Sequence, residues 1–458
     1  MNLSRNLDVV AEPDVLVVGA GCAGTAAAIA AARKGARTMV VERSGFAGGY
    51  ITNVVGASLD GFVDLRTGLP VVGGIVFDLA REAAVTEEPV TDWAATRFRF
   101  NAEVGQMRDV MDRAYVRFDI ERFKLAADRL MGEAGVRVLY HTIVADALTE
   151  GDRVSAVVLA NKAGLTAVRP KAIVDASGDA DVVAFAGAAF DANDNPQPMS
   201  LHFRVGRLQP TVEMREACSR VLAQANAEGR LPLYGGPWMA QFGPDELYFN
   251  ATRITGNPVD PDDLSRAEIQ GREDANLMFE LFKEHLPQFR EAYLTGTGPV
   301  VGARESRRIR GLETLRMTDI EARTERADAV CLGGWWLDRH PSGKSGYHAH
   351  HLARPYDIAY GTLVPQTVTN LWVAGRCHSA EPAALASSRV TVTCMGMGQA
   401  TGTAAAMAAQ NGQPAQELDV GALQGALLDA GAIILERAAK VRRIGDEVGV
   451  EGVESASH

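Results

Sequence analysis

Residues 15–43 read VLVVGAGCAGTAAAIAAARKGARTMVVER. This stretch constrains the fold more than any other. An apolar strand, Val15–Val18, runs into Gly19-x-Gly21-x-x-Gly24, then an alanine-rich helix over 22–34, then a second strand, 37–41, ending at Glu42. Gly19 permits a tight turn, Gly21 lets backbone approach a pyrophosphate, and Gly24 lets helix and strand pack closely. The start of the helix, Cys22, Ala23 and Gly24, offers N–H groups and a positive dipole end to phosphates. The Glu42 carboxylate suits a ribose with a free 2′-hydroxyl and would repel a 2′-phosphate. The order strand, glycines, helix, strand, acid predicts a dinucleotide site. It does not by itself choose between NAD and FAD.

A chain of 458 residues is too long for one core, so two or three domains are expected. A net charge of −11 disfavours nucleic acid as a partner. No window is apolar enough for a membrane span, and no apolar segment of signal-peptide length opens the chain, so a cytoplasmic protein is expected. Cys22, Cys218, Cys331, Cys377 and Cys394 are scattered. That spacing argues against a disulfide framework, a zinc ribbon, a redox dithiol pair and an iron–sulfur pattern.

The segment after the acid, VERSGFAGG (41–49), adds an arginine and a glycine pair. Further along stand EAGVRVLYHTIVADAL (133–148), AIVDASGDADVVAFAGA (172–188), GARESRRIRG (302–311) and YDIAYGTLVPQTVTNLWVAGR (356–376). With these segments the chain resembles the FAD dependent oxidoreductase family, within the glutathione-reductase-like flavoproteins. The resemblance implies FAD as cofactor. It implies that Arg43 helps hold the adenosine half, that Gly48 and Gly49 pass close to the flavin, and that backbone near Val144 contacts adenine. It also marks Gly178 and Asp179 as a second glycine–acid element. Gly375 and Arg376 end a short buried strand. Relatives usually carry Gly-Asp at this turn; Arg376 suits a phosphate better than ribityl hydroxyls. Downstream, a Gly/Ala-rich helix over 395–409, with Gly398, could direct its N-terminal N–H groups at the flavin's pyrimidine end.

The fold class expected is α/β: a Rossmann-type FAD-binding domain with a parallel sheet, plus a mixed α+β substrate domain. Residues 1–60, 105–195 and 355–415 are assigned to a discontinuous FAD domain. Residues 61–104 are assigned to an insertion containing a helix and a hairpin at 91–100, 196–354 to the substrate domain, and 416–458 to a terminal helix and tail. Helical periodicity marks 119–135, with Phe123, Ala126, Ala127 and Leu130 on one face, and an acidic helix over 265–286. A second glycine-rich segment, GTGPVVG (296–302), follows a stretch read as helical and precedes arginines, so it reads as a loop and not a nicotinamide site.

Chemistry concentrates in residues 335–361, where His340, His348, His350 and His351 lie with Tyr347, Tyr356 and Asp357. His350 or His351, then His348, are the candidate bases for removing a proton as a C–H is oxidised. Solvated surface histidines, or a metal site with Asp357, are the competing accounts; no metal is expected. Arg307, with Arg308, is the candidate for a substrate carboxylate or flavin phosphate, against a structural network in which Glu305 pairs internally. His378 is placed to face the flavin, and Cys22 and Cys394 start helices, where thiolates are favoured. The function expected is a dehydrogenase or oxidase acting on a small organic substrate, with oxygen, a quinone or a carrier protein as electron acceptor. A monooxygenase using NAD(P)H and a flavin-bearing electron-transfer subunit are the alternatives. A homo-oligomer stays open.

Overall fold

The computed structural model describes residues 6–56, 61–62, 70–83, 119–208, 211, 213–243, 245–346 and 355–435. It is a mixed α/β structure. Its centre is a five-stranded parallel sheet in the order Leu371–Val373, Ala172–Asp175, Val15–Val18, Thr38–Val41, Arg137–Leu139. Four of these strands are buried along their whole length. That explains their near-continuous apolar runs, since a parallel sheet is covered on both faces. The chain leaves Val15–Val18 in one direction toward Thr38–Val41, and Ala172–Asp175 lies on the other side. This reversal opens a crevice at the carboxyl ends of the strands. Gly19, Glu42, Gly178 and Gly375 all follow closely on those ends.

Two helices cover one face. Cys22–Arg33 and Thr391–Asn411 touch through their backbones. A Cβ added at Gly398 would lie 2.0 Å from the Ala23 carbonyl oxygen, and one at Gly402 2.1 Å from that of Ala27. Both helices are buried nearly all round, which is why neither shows an amphipathic pattern. The later helix starts at Thr391, four residues before the expected Met395, and stops at Gly412 with φ +67°. Helix Ile120–Glu133 is capped by Asp119, which accepts from the N–H groups of Glu121 and Arg122. It buries the expected Phe123, Ala126, Ala127 and Leu130, together with Ile120 and Met131. Helix Ile75–Ala83 lies beside it, tied by Arg129 to Glu82 at 3.1 Å. The hairpin expected at 91–100 lies outside the described residues.

A second sheet, Val9–Ala11, Gly164–Val168, Arg153–Asn161, Ile143–Glu150, is antiparallel except for its first pair. A third is fully antiparallel: Tyr234–Gly243, Glu246–Thr252, Phe203–Gly206, Tyr293–Thr297. Its apolar side holds Phe203 stacked on Phe249, ring centres 5.0 Å apart, with Phe282 and Phe289 packed beyond. Phe282 comes from helix Pro261–His285, which begins four residues before the expected Ser265 because Asp260 caps it and Pro261 opens it. The stretch before Gly296 was expected to be helical. Only Pro287–Phe289 forms a helical turn, and Tyr293–Thr297 is a strand. Phe289 is drawn into the aromatic cluster and Tyr293 pairs with Gly206, so tertiary contacts override the local helical pattern.

Candidate active site

The glycine turn has the shape a pyrophosphate needs. Gly19 has φ +89°, and its N–H donates to the Val41 carbonyl. A Cβ at Gly24 would strike the Gly19 carbonyl oxygen at 1.8 Å. Gly21 differs: the nearest atom a Cβ there would meet is Gly49 Cα, at 3.8 Å. A Cβ would thus fit at Gly21 without a clash, and Gly21, as the helix N-cap, brings no side chain to cap the first-turn N–H groups of Cys22, Ala23 and Gly24. The second glycine pair borders the same turn. Gly21 and Gly48 form a parallel bridge, the Gly48 N–H donates to the Ala20 carbonyl, and the Cys22 thiol donates to the Gly48 carbonyl. Glu42 is buried at the next strand end, one oxygen accepting from Ala20 N–H and the other from Ser44 N–H, both at 2.8 Å. Each oxygen keeps a lone pair for a ribose hydroxyl. Arg43 is exposed beside it, and Val144 is part-buried near the start of strand Ile143–Glu150. These residues fit FAD.

The other strand ends carry a charge network. Arg376 pairs with Asp179 at 2.9 Å and donates to Ser306 Oγ at 2.8 Å. Gly178, with φ +83°, makes room for that guanidinium. Arg307 donates to the Asp179 carbonyl at 2.6 Å and pairs with Asp181. Arg308 pairs with Glu305 at 2.9 Å, and both are buried. The expected internal pairing of Glu305 is therefore present. Arg307 and Arg376, expected to meet anionic ligands, instead face carboxylates of the chain itself. Burial, then the charges of Asp175 and Asp179, raise Asp181 to about 6. Asp175, which the sequence reading passed over, is fully buried and pushed upward by burial; it accepts from Ser177, Val182 and Val183. Gly398, expected at the flavin, faces Ala23 across the helix crossing, because its missing Cβ is what lets the two backbones meet.

A second cluster was not visible in the sequence. It joins strand Glu246–Thr252 and its flank to the starts of two loops. Arg253 and Arg304 are both more than nine-tenths buried. Arg253 donates to Ser200 Oγ and Asn250 Oδ1, each at 2.9 Å, and to the Thr252 carbonyl at 2.7 Å. Arg304 donates to the same Ser200 Oγ at 2.8 Å, to the Pro198 carbonyl at 2.6 Å and to Asn250 Oδ1 at 3.4 Å. His340 stands 3.5 Å from Arg253 through Nδ1 and pairs with Asp338 through Nε2 at 2.9 Å. Asp338 also meets Arg389, whose Nε is buried without a partner among the described residues. His202 bonds the Tyr248 hydroxyl at 2.8 Å and packs edge-on to Tyr50. Tyr50 directly follows Gly49, and Arg389 directly precedes the N-cap of helix Thr391–Asn411, so the cluster borders the glycine crevice. Burial first, then neighbouring arginine charge, lowers Arg253 well below its ordinary value and Arg304 to about 10. The same causes hold His202 and His340 neutral.

His348, His350 and His351 lie outside the described residues. His378 is fully buried, with Nδ1 against the Gly375 carbonyl at 2.8 Å and Nε2 against Ser388 at 3.1 Å, so it braces the Gly375 turn. Burial takes it to about 4. Burial drives the Cys394 thiol well up, against the expectation for a helix start. Asp357 accepts from the Arg326 N–H. Among the described residues no group of three His, Cys, Asp or Glu is placed to hold a metal, and no helix is long and apolar enough to cross a membrane.

A parallel sheet with glycine turns and a buried acid at its carboxyl edge defines a dinucleotide-binding α/β protein. The FAD dependent oxidoreductase family matches residues 14–427, and the chain belongs to that family. It is an FAD-dependent enzyme. No curated protein matches it. Among solved structures it is similar to a geranylgeranyl bacteriochlorophyll reductase-like protein from Thermoplasma acidophilum, at 14% identity over 96% of this chain and 100% of that one, TM-score 0.46. It is also similar to the anhydrotetracycline hydroxylase OxyS from Streptomyces rimosus, at 14% identity over 95% and 68%, TM-score 0.46. A third is p-nitrophenol 4-monooxygenase PnpA from Pseudomonas putida DLL-E4, at 13% identity over 96% and 89%, TM-score 0.43. Likeness this distant transfers neither substrate nor reaction.

Proposed function

We propose that this FAD-dependent oxidoreductase is a dehydrogenase or oxidase that takes two electrons from a small organic molecule. In this reading a Rossmann-type domain of 1–60, 105–195 and 355–415 holds FAD, and 196–354 supplies the substrate side, in a cytoplasmic protein. Gly19, Gly21 and the first turn after it would hold the pyrophosphate, Glu42 the ribose, and Gly48 and Gly49 the approach to the ring. FAD, when bound, supplies a hydride acceptor at N5. His340, kept neutral by burial and arginine charge and oriented by Asp338, would help position the substrate. His348, His350 and His351, from the adjoining stretch, would hold the proton released from a substrate O–H or N–H. Oxygen, a quinone or a carrier protein would take the electrons onward.

What favours an organic donor over a nicotinamide is the use made of the other glycine-rich segment. Gly298 donates to the His202 carbonyl, Val300 to the Asn53 carbonyl and Gly302 to the Ser200 carbonyl. A Cβ at Gly298 would meet the Val54 carbonyl oxygen at 2.9 Å. These glycines dock protein onto protein, and the strand before them is antiparallel. The test is anaerobic mixing of the yellow holoprotein with NADH and NADPH while following flavin absorbance. The expected result is no rapid bleaching with either, and bleaching by one of a panel of alcohols, amines and acids. Rapid bleaching by a nicotinamide would replace this reading with a reductase or monooxygenase.

A further inference from the structure

We propose that Arg253 and Arg304 bind the carboxylate of an organic acid, and that this acid is the molecule oxidised. The proposal rests on the oxidase or dehydrogenase reading for what happens to the acid, and on the cluster alone for its binding.

Two buried guanidiniums share Ser200 Oγ and Asn250 Oδ1. Their other direct partners are backbone carbonyls and a neutral imidazole. Like charges held on common neutral oxygens, away from water, repel one another. Among the described residues Asp338 is the carboxylate nearby, and it is shared with His340 and Arg389. Within that set Arg253, Arg304 and Arg389 carry more positive charge than Asp338 offsets. Arg389 adds a buried donor, Nε, with no partner among the described residues. Buried donors without acceptors and buried cations without counterions are costly, and an arriving anion relieves both.

The surroundings point to a carboxylate on a carbon skeleton. Guanidinium forks match the planar carboxylate. Tyr50, Tyr248 and the neutral His202 provide ring faces and edges beside the charges. Tyr50 carries the site to Gly49, at the rim of the glycine crevice. A Cβ at Gly235 would fall 2.2 Å from Arg253 Cζ, so a glycine is what lets this guanidinium lie there.

The experiment uses FAD-loaded protein at fixed ionic strength, titrated with succinate and with acetate. Succinamide serves as the neutral isostere, and sodium sulfate and chloride as inorganic anions. Melting temperature and the flavin difference spectrum are read together. A carboxylate should give a saturable rise in melting temperature and a spectral change, and succinamide should give neither. Arg253→Gln and Arg304→Gln should weaken binding by about 10-fold or more, because each removes a charged hydrogen-bonding group. Arg310→Gln, on the surface against Asp191, should leave it unchanged. If the arginine variants do not fold, the wild-type contrast between succinate and succinamide still decides. Equal binding of carboxylate and amide, equal binding of sulfate or chloride, or full binding by the folded variants would overturn the proposal. A neutral alcohol that bleaches the flavin while no acid binds would overturn it and leave the dehydrogenase reading standing. Acid binding with bleaching by NADH alone would overturn the dehydrogenase reading and the oxidation of the acid, and leave the carboxylate site standing.

Discussion

Arg304 and Arg307 are three residues apart, yet they enter opposite surroundings. Arg307, Arg308 and Arg376 each meet a carboxylate of their own, Asp181, Glu305 and Asp179. Arg304 turns the other way, to Arg253 and Arg389, where Asp338 is the shared carboxylate. The first network ties together strand ends and the loops beyond them. Among the described residues the second keeps an electrostatic imbalance that a folded protein retains only at a cost. Arginine count alone does not tell the two halves of the motif apart. Carboxylate count separates structure from binding.

The contrast is sharpest in its response to substitution. Glu305→Ala should leave Arg308 buried and unpaired and cost about 3–5 kcal/mol, the range for breaking a buried pair. Arg253→Met, similar in length, should cost about 1 kcal/mol or less, because relief of like-charge repulsion offsets the lost hydrogen bonds. Urea unfolding of both holoproteins checks this; equal losses would erase the distinction between the networks.

A second difference lies in pH dependence. His202 and His340 have lowered values in the folded state, so the unfolded chain binds more protons below about pH 6.5. Their contribution to stability is present above that pH and is lost as pH falls. Asp181 is raised to about 6, so its contribution is present below the ordinary carboxylate value and is lost as pH rises through 6. Between pH 4 and 6 the two networks oppose one another. His340→Gln should flatten the rise of stability with pH by up to about 1.4 kcal/mol per unit. Asp181→Asn should steepen it. Melting temperatures at half-unit steps give both slopes, and a shared sign would contradict the assignment.

The smallest effect belongs to the rim. Arg307→Lys keeps the charge but loses the fork that spans the Asp179 carbonyl and Asp181. With both partners partly exposed, the loss should be about 0.5–1 kcal/mol, and carboxylate binding should not change. A tenfold loss of succinate affinity in this variant would return the anion site to Arg307.

Much of the fold could be read from sequence because its signals are local. Three glycines, a buried strand and an acid sit within thirty residues, and Gly24 against Gly19 and Glu42 on the Ala20 N–H answer demands within the unit itself. Helix Ile120–Glu133 carries its cap and its apolar face in its own residues. The strand Tyr293–Thr297 was misread because its partner, Phe203–Gly206, lies ninety residues earlier. Gly398 looked like a ligand glycine because close helix packing and close ligand approach select the same residue.

By itself the sequence determined the parallel-sheet unit, the glycine turn and Glu42 at its edge, and through the family motifs the dependence on FAD. The tertiary structure decided which charges meet. Ser200, the pair Asn250 and Arg253, Arg304 and His340 come from four well-separated parts of the chain, with no spacing that marks them as one group. Backbone geometry is dictated by neighbours in sequence; electrostatic balance is set by neighbours in space, and a one-dimensional pattern carries only the first.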